Sequence, residues 1–200
     1  MDNFILSLDL STACTGWSVF NMDTKELIEY GAILPKLDKY QRKLGYPEIQ
    51  LIKMISIANE IKKLVERINP KTILIEEISG SKNYLGQKTL DGLHWIVLYT
   101  IIKDIKRVVF MNVTGYNGWR YLLGLKLSEE NKIHNKENKL MNKKLQRGSR
   151  KLIIITPKHL AQYYVNKTYN TPFDVENNAT DNDVVDSIAM ASAYLKFVEE

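Results

Sequence analysis

The sequence contains very little cysteine and histidine. Its 200 residues include one cysteine, Cys14, and three histidines. A lone cysteine cannot form an internal disulfide, and one cysteine with three scattered histidines does not make a usual zinc site. Any metal ion that the protein binds must therefore be held by oxygen ligands.

Long apolar runs are also absent. The longest, around Trp95 to Ile102, is far shorter than the roughly 20 residues of a membrane-spanning helix. The N-terminus shows no basic region followed by an apolar stretch, as a signal peptide would. We therefore expect no membrane span and a cytoplasmic location. The chain length and its 44% hydrophobic content predict a single domain over residues 1–200.

Positive charge is concentrated in one part of the chain, which has a net charge of +5. The segment from Lys126 to Lys151 contains nine Lys or Arg and three Glu, so its net charge is more positive than that of the whole chain. A concentrated basic segment is typical of surfaces that bind nucleic acid, although a solvated helical face has the same composition.

Apolar periodicity divides the chain into three short strands, then helix, strand, helix, strand and a helical C-terminal part. The predicted strands are Phe4–Asp9, Thr15–Asn21, 27–34, 72–75 and 107–113; the predicted helices are Glu48–Ile68, about 87–104, Pro157–Tyr169 and one that begins near Thr180. The three adjacent strands favour an antiparallel meander, and the strands separated by helices favour parallel pairing. We therefore predict an α/β fold with a mixed central sheet flanked by helices on both faces.

The region between these elements is harder to interpret. A short helix between Gly115 and Gly124 is predicted to carry Trp119 and Arg120. The basic segment that follows is either a mobile loop or a helical hairpin ordered only by a ligand. Residues 152–155 are strand-like by composition, but the sequence leaves their conformation open.

Four carboxylates stand at the ends of predicted elements. Asp9 and Glu76 each end an apolar strand, and Asp183 and Asp186 lie near the start of the final helix, about 60° apart on one face. A solvated loop explains an acid at a single strand end, and Thr180 with Asp183 resembles a capping box. Neither alternative explains Asp186, because small apolar residues follow it as in a closely packed helix.

Convergence of these acids would require a countercharge. Two carboxylates about 4 Å apart repel by about 4 kcal/mol at an effective dielectric constant near 20. Oxygen ligands of this kind select Mg²⁺ or Mn²⁺, and two such ions can activate a water and stabilise the leaving oxygen of a phosphodiester. We therefore predict two Mg²⁺ ions per site, replaceable by Mn²⁺, on four residues that are both metal ligands and catalytic: Asp9, Glu76, Asp183 and Asp186.

Three motifs, in this order, resemble those of the RuvC family of Holliday-junction-resolving endonucleases, which have an RNase H-like (retroviral-integrase superfamily) fold. The first is SLDLSTACTGWSVF, the second is ILIEE, and the last is DNDVVDSIAMASAY. The resemblance maps the family's four carboxylates onto the same four residues and spans Phe4 to Tyr194. The spacing is most similar to phage-encoded and related divergent members, which would place the protein in the cytoplasm of a bacterial host cell.

The resemblance implies a Mg²⁺-dependent endonuclease that resolves four-way DNA junctions, with forks and flaps as further branched substrates. It also implies a homodimer in which two sites cut strands of like polarity. One stripe of the predicted second helix offers either a dimer seam or a core-facing surface; it consists of Leu90, Leu93, His94, Val97 and Ile101. His94 is interpreted as a packed histidine rather than a metal ligand.

Two departures from the family are visible. Cellular members carry an aromatic wedge residue after the second-motif Glu, whereas Ser79 or Gly80 stands there in this chain and Tyr84 is the nearest aromatic. The segment from Lys126 to Lys151 looks like an insertion. The candidate DNA-contacting residues are Lys82, Tyr84, Arg120, Lys143, Lys144, Arg147, Arg150, Lys151 and Lys158.

Alternative functions remain open at this point. An RNA–DNA hybrid nuclease or a flap nuclease of the same fold would use the same carboxylates. A non-catalytic module that binds branched DNA would be expected to have lost one of them. The first motif also resembles the phosphate loop of actin-like ATPases, but those proteins need a second half for which 200 residues leave no room.

Overall fold

The secondary structure follows the predicted order of elements closely. A computed structural model describes residues 3–77, 84–103, 107–146 and 149–197. The strands are β1 (Phe4–Asp9), β2 (Thr15–Asn21), β3 (Leu27–Ile33), β4 (Thr72–Glu76) and β5 (Arg107–Met111). The α-helices are α1 (Glu48–Ile68), α2 (Tyr84–Ile101), α3 (Trp119–Leu122), α4 (Glu129–Lys144), α5 (Pro157–Tyr169) and α6 (Ala179–Phe197), and a 3-10 turn spans Gln41–Lys43.

The five strands form one mixed sheet in the order β3-β2-β1-β4-β5. The first three strands pair antiparallel, while β4 and β5 join the other side of β1 in parallel. The predicted meander and the predicted parallel strands are therefore both confirmed. Because β1 and β4 pair in parallel, their C-terminal ends lie next to each other.

Side chains on the sheet alternate between two apolar layers, as the period of two in a strand requires. Leu6, Leu8 and Ile75 pack with the helices α1 and α2 on one face. Ile5 and Leu74 pack on the other face with a core built largely from α5 and α6. The predicted helices on both faces are thus confirmed.

The final helix begins earlier than the sequence suggests. α6 starts at Ala179, and the side chain of Asn178 accepts hydrogen bonds from the backbone N–H and the hydroxyl of Thr180. Thr180 is therefore inside the helix and is not its N-cap, so the alternative of a capping box formed by Thr180 and Asp183 is not the one the structure has. Asp183 consequently lies in the second turn of the helix, and Asp186 lies at the start of the third.

The basic segment also differs from both predicted conformations. Residues Glu129–Lys144 form the helix α4, and Ser128 caps its N-terminus by accepting a hydrogen bond from the backbone N–H of Asn131. The described residues that follow, 149–156, are neither helix nor strand. The described part of the segment is thus a single helix followed by an irregular return.

The stripe on α2 belongs to the core. Leu93, His94, Val97 and Ile101 are buried, and Leu90 is partly buried against the same layer. Of the two interpretations left open for this stripe, core packing is the one the structure has. Within the described residues, no helix is long and apolar enough to cross a membrane.

Candidate active site

Strand periodicity brings two carboxylates to the same face of the sheet. Asp9 follows Ile5 and Ser7 on alternate positions of β1, and Glu76 follows Leu74 in the same way on β4. Ile5 and Leu74 both contact the α6 layer, so Asp9 and Glu76 point toward that layer as well. The two acids therefore end adjacent strands beneath the same helix.

The helix α6 lies unusually close to the sheet at this point. A Cβ atom on Gly16, which pairs with Asp9 across the β1–β2 ladder, would stand 2.0 Å from the backbone carbonyl carbon and oxygen of Asp183. The hydroxyl of Ser7 donates a 2.8 Å hydrogen bond to the backbone carbonyl of Ser187. Only small side chains permit this approach, and it brings the second turn of α6 over the strand ends.

Three carboxylates converge as a result. Each of Asp9, Glu76 and Asp186 offers one oxygen, and these oxygens lie within 4.8 Å of one another. Asp186 is only 4% exposed, and its Oδ1 has no hydrogen-bond partner among the described residues. A buried carboxylate oxygen without a donor is costly unless a cation faces it. An all-carboxylate donor set with an unpaired oxygen therefore fits a hard divalent cation.

Burial and mutual repulsion make the charged forms of these acids unfavourable. Burial, followed by repulsion from Glu76, Asp186 and Asp183, raises the pKa of Asp9 well above its usual value. Burial and the charge of Asp186 raise the pKa of Glu76 to about 7. Burial likewise raises the pKa of Asp186. A bound cation would relieve this repulsion, which is why the cluster is suited to hold one.

The short helix α3 supplies two partners for the cluster. The guanidinium of Arg120 lies 2.9 Å from Oδ2 of Asp186, and it also stacks over the ring of Trp119 with 4.7 Å between Cζ and the ring centroid. The indole N–H of the fully buried Trp119 donates a 3.2 Å hydrogen bond to Glu76. Arg120 was predicted as a DNA contact, which stays a prediction, and the structure places its guanidinium on Asp186, a metal-ligand candidate.

His94 contacts the backbone of Glu76. One ring nitrogen lies 2.9 Å from the carbonyl oxygen of Leu90, and the other lies 3.1 Å from the carbonyl oxygen of Glu76. The imidazole therefore holds the end of β4 against α2 and does not reach the carboxylate cluster. The interpretation of His94 as a packed histidine is confirmed.

The fourth predicted carboxylate stands slightly apart. Asp183 is not among the three acids whose oxygens converge, and its carboxylate lies near the thiol of Cys14. Burial followed by the neighbouring charge of Asp183 raises the pKa of this thiol to about 12. Asp183 still raises the pKa of Asp9, so it lies within electrostatic reach of the cluster. Its role as a metal ligand stays a prediction.

One lysine faces all four acids. Lys158 is the second residue of α5. Burial raises the pKa of all four acids, and the positive charge of Lys158 offsets part of this rise at each of them: Asp9, Glu76, Asp183 and Asp186. Its side chain is exposed, so the ammonium group is free to meet a phosphate that approaches the cluster. Among the predicted DNA contacts, Lys158 and Arg120 are those beside the carboxylates.

A cavity of about 440 Å³ adjoins the cluster at Arg120. Tyr116 and Tyr121 line it as an edge-to-face aromatic pair with 5.1 Å between ring centroids, and the ammonium of Lys126 lies over the Tyr121 ring. Pro157, the first residue of α5, closes the other side. The basic segment thus begins at the rim of a cavity that opens beside Arg120, and the chain returns to the same rim at Pro157.

The remaining predicted DNA contacts lie farther along the chain from the cluster. Tyr84 is 78% exposed at the first turn of α2. Lys143 and Lys144 are exposed in the last turn of α4, and Arg150 and Lys151 are exposed in the segment after it. Lys82 and Arg147 lie outside the described residues, as do Ser79 and Gly80 at the wedge position.

Two site residues were not identified from the sequence. Trp119 and His94 hold Glu76 through its carboxylate and its carbonyl, respectively. Both were noticed in the sequence, but neither was assigned to the site, because nothing local connects them with a strand end 43 or 18 residues away. Gly16 differs from these two residues because it stands in the first motif, so a local sequence signal exists for the position where α6 approaches the sheet.

Comparison with known proteins agrees with this geometry, although no family model matches the sequence. The crossover junction endodeoxyribonuclease RuvC of Orientia tsutsugamushi is 31% identical over 86 residues, which are 43% of this chain and 50% of that protein. The match therefore spans about half the length of this curated relative.

Solved structures match over nearly the whole chain. RuvC of Thermus thermophilus in complex with a Holliday junction substrate superposes with a TM-score of 0.57 at 8% identity, over 98% of this chain and 95% of that one. The yeast mitochondrial Holliday junction resolvase superposes with a TM-score of 0.52 at 13% identity, over 96% and 77%. These matches confirm the resemblance to the RuvC family that the three motifs indicate, and with it the RNase H-like fold of the chain.

Proposed function

We propose that the protein is a metal-dependent endodeoxyribonuclease that resolves four-way DNA junctions, with forks and flaps as further branched substrates. The observation that carries this proposal is the convergence of Asp9, Glu76 and Asp186 from three separate elements, with Oδ1 of Asp186 buried and unpaired. The curated relative named as a crossover junction endodeoxyribonuclease and the structural neighbour in complex with a Holliday junction both support it.

The three convergent carboxylates would hold Mg²⁺, for which Mn²⁺ would substitute, with Asp183 as the fourth ligand and two ions per site. When bound, such ions supply activation of the attacking water and stabilisation of the leaving oxygen of a phosphodiester. The chain itself keeps the ligands in place. Trp119 orients the Glu76 carboxylate through its indole N–H, and Arg120 holds Oδ2 of Asp186 and leaves Oδ1 free.

The cations of the chain would position the DNA backbone. Lys158 is exposed beside all four acids, and the side chain of Arg120 is 22% exposed where it contacts Asp186. Both can therefore meet the non-bridging oxygens of the phosphate to be cut, as basic side chains do at phosphodiesters. The more distant contacts would follow from the basic segment, through Lys143, Lys144, Arg147, Arg150 and Lys151.

Paired incision would require a homodimer. The core stripe of α2 is not available for it, but the opposite face of the same helix exposes three large apolar side chains at positions i, i+4 and i+7: Trp95, Tyr99 and Ile102, which are 72%, 84% and 68% exposed. An apolar stripe of this kind is typical of an interface between helices. We infer that this exposed face is the dimer seam.

Cleavage of defined substrates tests the proposal. A four-way junction, a flap, a replication fork and an RNA–DNA hybrid are incubated with the protein in Mg²⁺ and, separately, in a chelator. We expect symmetric paired cuts in the junction that depend on Mg²⁺. Preferred cutting of the hybrid or the flap would instead support a different nuclease of the same fold, and junction binding without any cutting would support a non-catalytic module.

Substitution of single acids tests the metal site. Asp186→Asn should abolish cleavage and leave junction binding intact, because the amide cannot replace the carboxylate as a ligand. Asp181→Asn on the same helix is the matched control, since the Asp181 side chain bonds to Asp174 and Asn178 and not to the cluster. Asp183→Asn examines the fourth ligand in the same assay. Retained cutting by Asp186→Asn would remove that residue from the mechanism.

Sedimentation of the purified protein tests the dimer. The wild type should sediment as a dimer, and Tyr99→Lys should convert it to a monomer that nicks junctions in one strand only. Tyr163→Lys, at an exposed position of α5, is the control for an added charge at an exposed aromatic position. A wild-type monomer that makes paired cuts would contradict the inferred seam.

A further inference from the structure

The helix α4 carries a repeated dipeptide. Asn-Lys occurs four times in thirteen residues, at 131–132, 135–136, 138–139 and 142–143. The steps of four, three and four residues match the helical repeat, so each residue type falls on one narrow stripe of the helix. The asparagine stripe and the lysine stripe are about 100° apart around the axis, because the two residues of each pair are adjacent in the sequence.

The asparagine stripe faces the chain that returns from the helix. Asn135 donates to the carbonyl of Ile155 and accepts from the N–H of the same residue, at 2.6 and 2.7 Å. Asn142 makes the same two-point pairing with Leu152, at 2.9 and 2.7 Å. Between them, Asn138 donates to the carbonyl of Ile153. Three side-chain amides thus replace the neighbouring strand that a backbone at 152–155 would otherwise require.

The lengths of the two partners match. Along the axis of α4, the seven residue steps from Asn135 to Asn142 rise by about 10 Å. Three steps of extended chain from Leu152 to Ile155 span about the same distance. The pairing therefore continues in register along the whole contact and runs antiparallel, which fixes the rotation of α4 about its own axis. The helix α4 and residues 149–156 are together called the arm from here on.

Fixing that rotation also fixes where the lysines point. Asn135 and Asn138 are the two buried residues of α4, whereas the lysine ladder is exposed along its length; it consists of Lys132, Lys136, Lys139 and Lys143. Lys132 pairs with Glu129 in the first turn. No described acidic side chain forms an ion pair with the other three. Their ammonium groups are therefore available to an outside anion.

We propose that the lysine ladder is a second DNA-binding surface, which holds the phosphate backbone of one arm of the branched substrate away from the cutting site. The ladder is about 16 Å long, from the helical rise. One DNA strand presents a phosphate about every 3.4 Å along the duplex axis, so the ladder spans about five phosphates. This inference rests on the proposed function and names the part of the substrate that the insertion binds.

The position of the arm connects the ladder with the carboxylates. Lys126 precedes the arm and Pro157 follows it, and both line the cavity that Arg120 shares with the carboxylate cluster. Lys158, whose charge acts on all four acids, comes two residues after the arm ends. DNA whose scissile phosphate lies at the cluster would therefore have a continuous basic path from Lys158 and Lys126 onto the ladder.

Contacts of this kind read no sequence, so they predict a specific form of salt dependence. Each phosphate contact contributes about 0.9 to the slope of log affinity against log salt concentration. Replacing all four ladder lysines with glutamine should reduce that slope by about 3 to 4. The loss should be equal on a four-way junction and on a plain duplex, because the ladder contacts backbone and not the branch.

The experiment measures affinity by fluorescence anisotropy over a salt series for three proteins. The wild type is compared with Lys132, Lys136, Lys139 and Lys143→Gln, and with a control of equal charge change, Lys62, Lys63, Lys71 and Lys103→Gln. The control lysines are exposed and lie near the ends of α1 and α2 and the start of β4, at the edge of the sheet opposite the carboxylates. We expect the slope to fall only in the ladder variant.

A further variant separates the scaffold from the charge. Asn135→Ala with Asn142→Ala keeps all lysines but removes four of the five hydrogen bonds that orient them, and it should reduce the slope by a smaller amount than the ladder variant. An unchanged slope in the ladder variant, or an equal fall in the control, would overturn the proposal.

Other outcomes separate this proposal from the proposed function. A ladder variant that still cuts junctions with an unchanged salt slope would overturn the ladder alone. A wild type that binds no DNA at any salt concentration would overturn both. Binding of anionic phospholipid vesicles that is lost in the ladder variant, with DNA affinity unchanged, would assign the surface to a membrane and overturn the proposal.

Discussion

The carboxylate cluster and the arm hold their charged groups in opposite ways. Asp9, Glu76 and Asp186 are crowded at the ends of buried elements, where burial and repulsion make ionisation unfavourable. The lysines of α4 lie along an exposed helix whose asparagine side chains bond to the returning chain. A cluster that must bind a compact cation benefits from burial, whereas a surface that meets a long polyanion needs exposure and a regular spacing.

The difference extends to how each region is supported. The cluster depends on close packing between α6 and the sheet, which a single added carbon would disturb. The arm depends on hydrogen bonds at an exposed surface, each of which contributes about 1 kcal/mol. Changes at the cluster should therefore affect the whole fold or the activity, and changes at the arm should stay local.

The largest effect is expected at Gly16. In Gly16→Ala the new Cβ would lie 2.0 Å from the backbone of Asp183, so α6 must move away from β2. Overpacking of this kind costs about 1 to 3 kcal/mol or more in the free energy of unfolding. Urea denaturation measures it, with Gly45→Ala as the control, because a Cβ there meets nothing within 4 Å. Equal stability of the two variants would show that α6 does not need this approach.

The support of Glu76 by Trp119 comes next. Trp119→Phe keeps an aromatic ring in the core but removes the N–H that donates to the carboxylate. Loss of such an orienting hydrogen bond typically lowers metal affinity or activity by about 10 to 100-fold. The Mg²⁺ concentration for half-maximal cleavage should rise accordingly. Trp17→Phe on β2, where the side chain packs against the layer of α1 and α2, should leave it unchanged, and an equal rise in both variants would exclude orientation of Glu76 as the cause.

The cluster should also make stability depend on pH. Because the pKa of Glu76 is raised from 4.5 to about 7, the folded protein keeps a proton that the unfolded chain loses in this range. The stability from this neutral carboxyl is fully present below about pH 4.5 and is lost as pH rises through about 7. Added Mg²⁺ should restore it, so the rise in melting temperature caused by Mg²⁺ should grow over the same range.

Calorimetry of the wild type and Glu76→Gln, with and without Mg²⁺ from pH 5 to 8, checks this pH dependence. The variant should have a flatter pH profile and a smaller response to Mg²⁺, because the amide neither titrates nor serves as an anionic ligand. An identical profile in both proteins would show that Glu76 is not the titrating group.

The smallest effect is expected in the arm. Asn142→Ala removes the acceptor of the Leu152 N–H and the donor to its carbonyl. Amide exchange at Leu152 should become faster, while the melting temperature changes little, because the pairing is at the surface. Hydrogen exchange resolved by residue measures both. A cooperative loss of protection in β1 or β4 would show instead that the arm is part of the core.

Much of the fold could be predicted from periodicity. The alternation in β1 and β4, and the helical spacing from Glu48 to Ile68, are local patterns that tertiary packing did not override. The predictions for the start of α6 and for the basic segment were less successful. The first depended on a choice between nearby capping residues, and the second on amide pairing with a segment about fifteen residues away.

The sequence by itself determined that Asp9 and Glu76 each stand at the end of an apolar strand, because the apolar pattern of a strand is local. It also determined that Asp183 and Asp186 share a helical face. Only the tertiary structure decided that β1 and β4 are neighbours, that Asp186 meets their carboxylates while Asp183 stands apart, and that Arg120 contacts the cluster. These contacts depend on how closely and at what angle α6 and α3 pack on the sheet, and no local pattern in the chain specifies that distance.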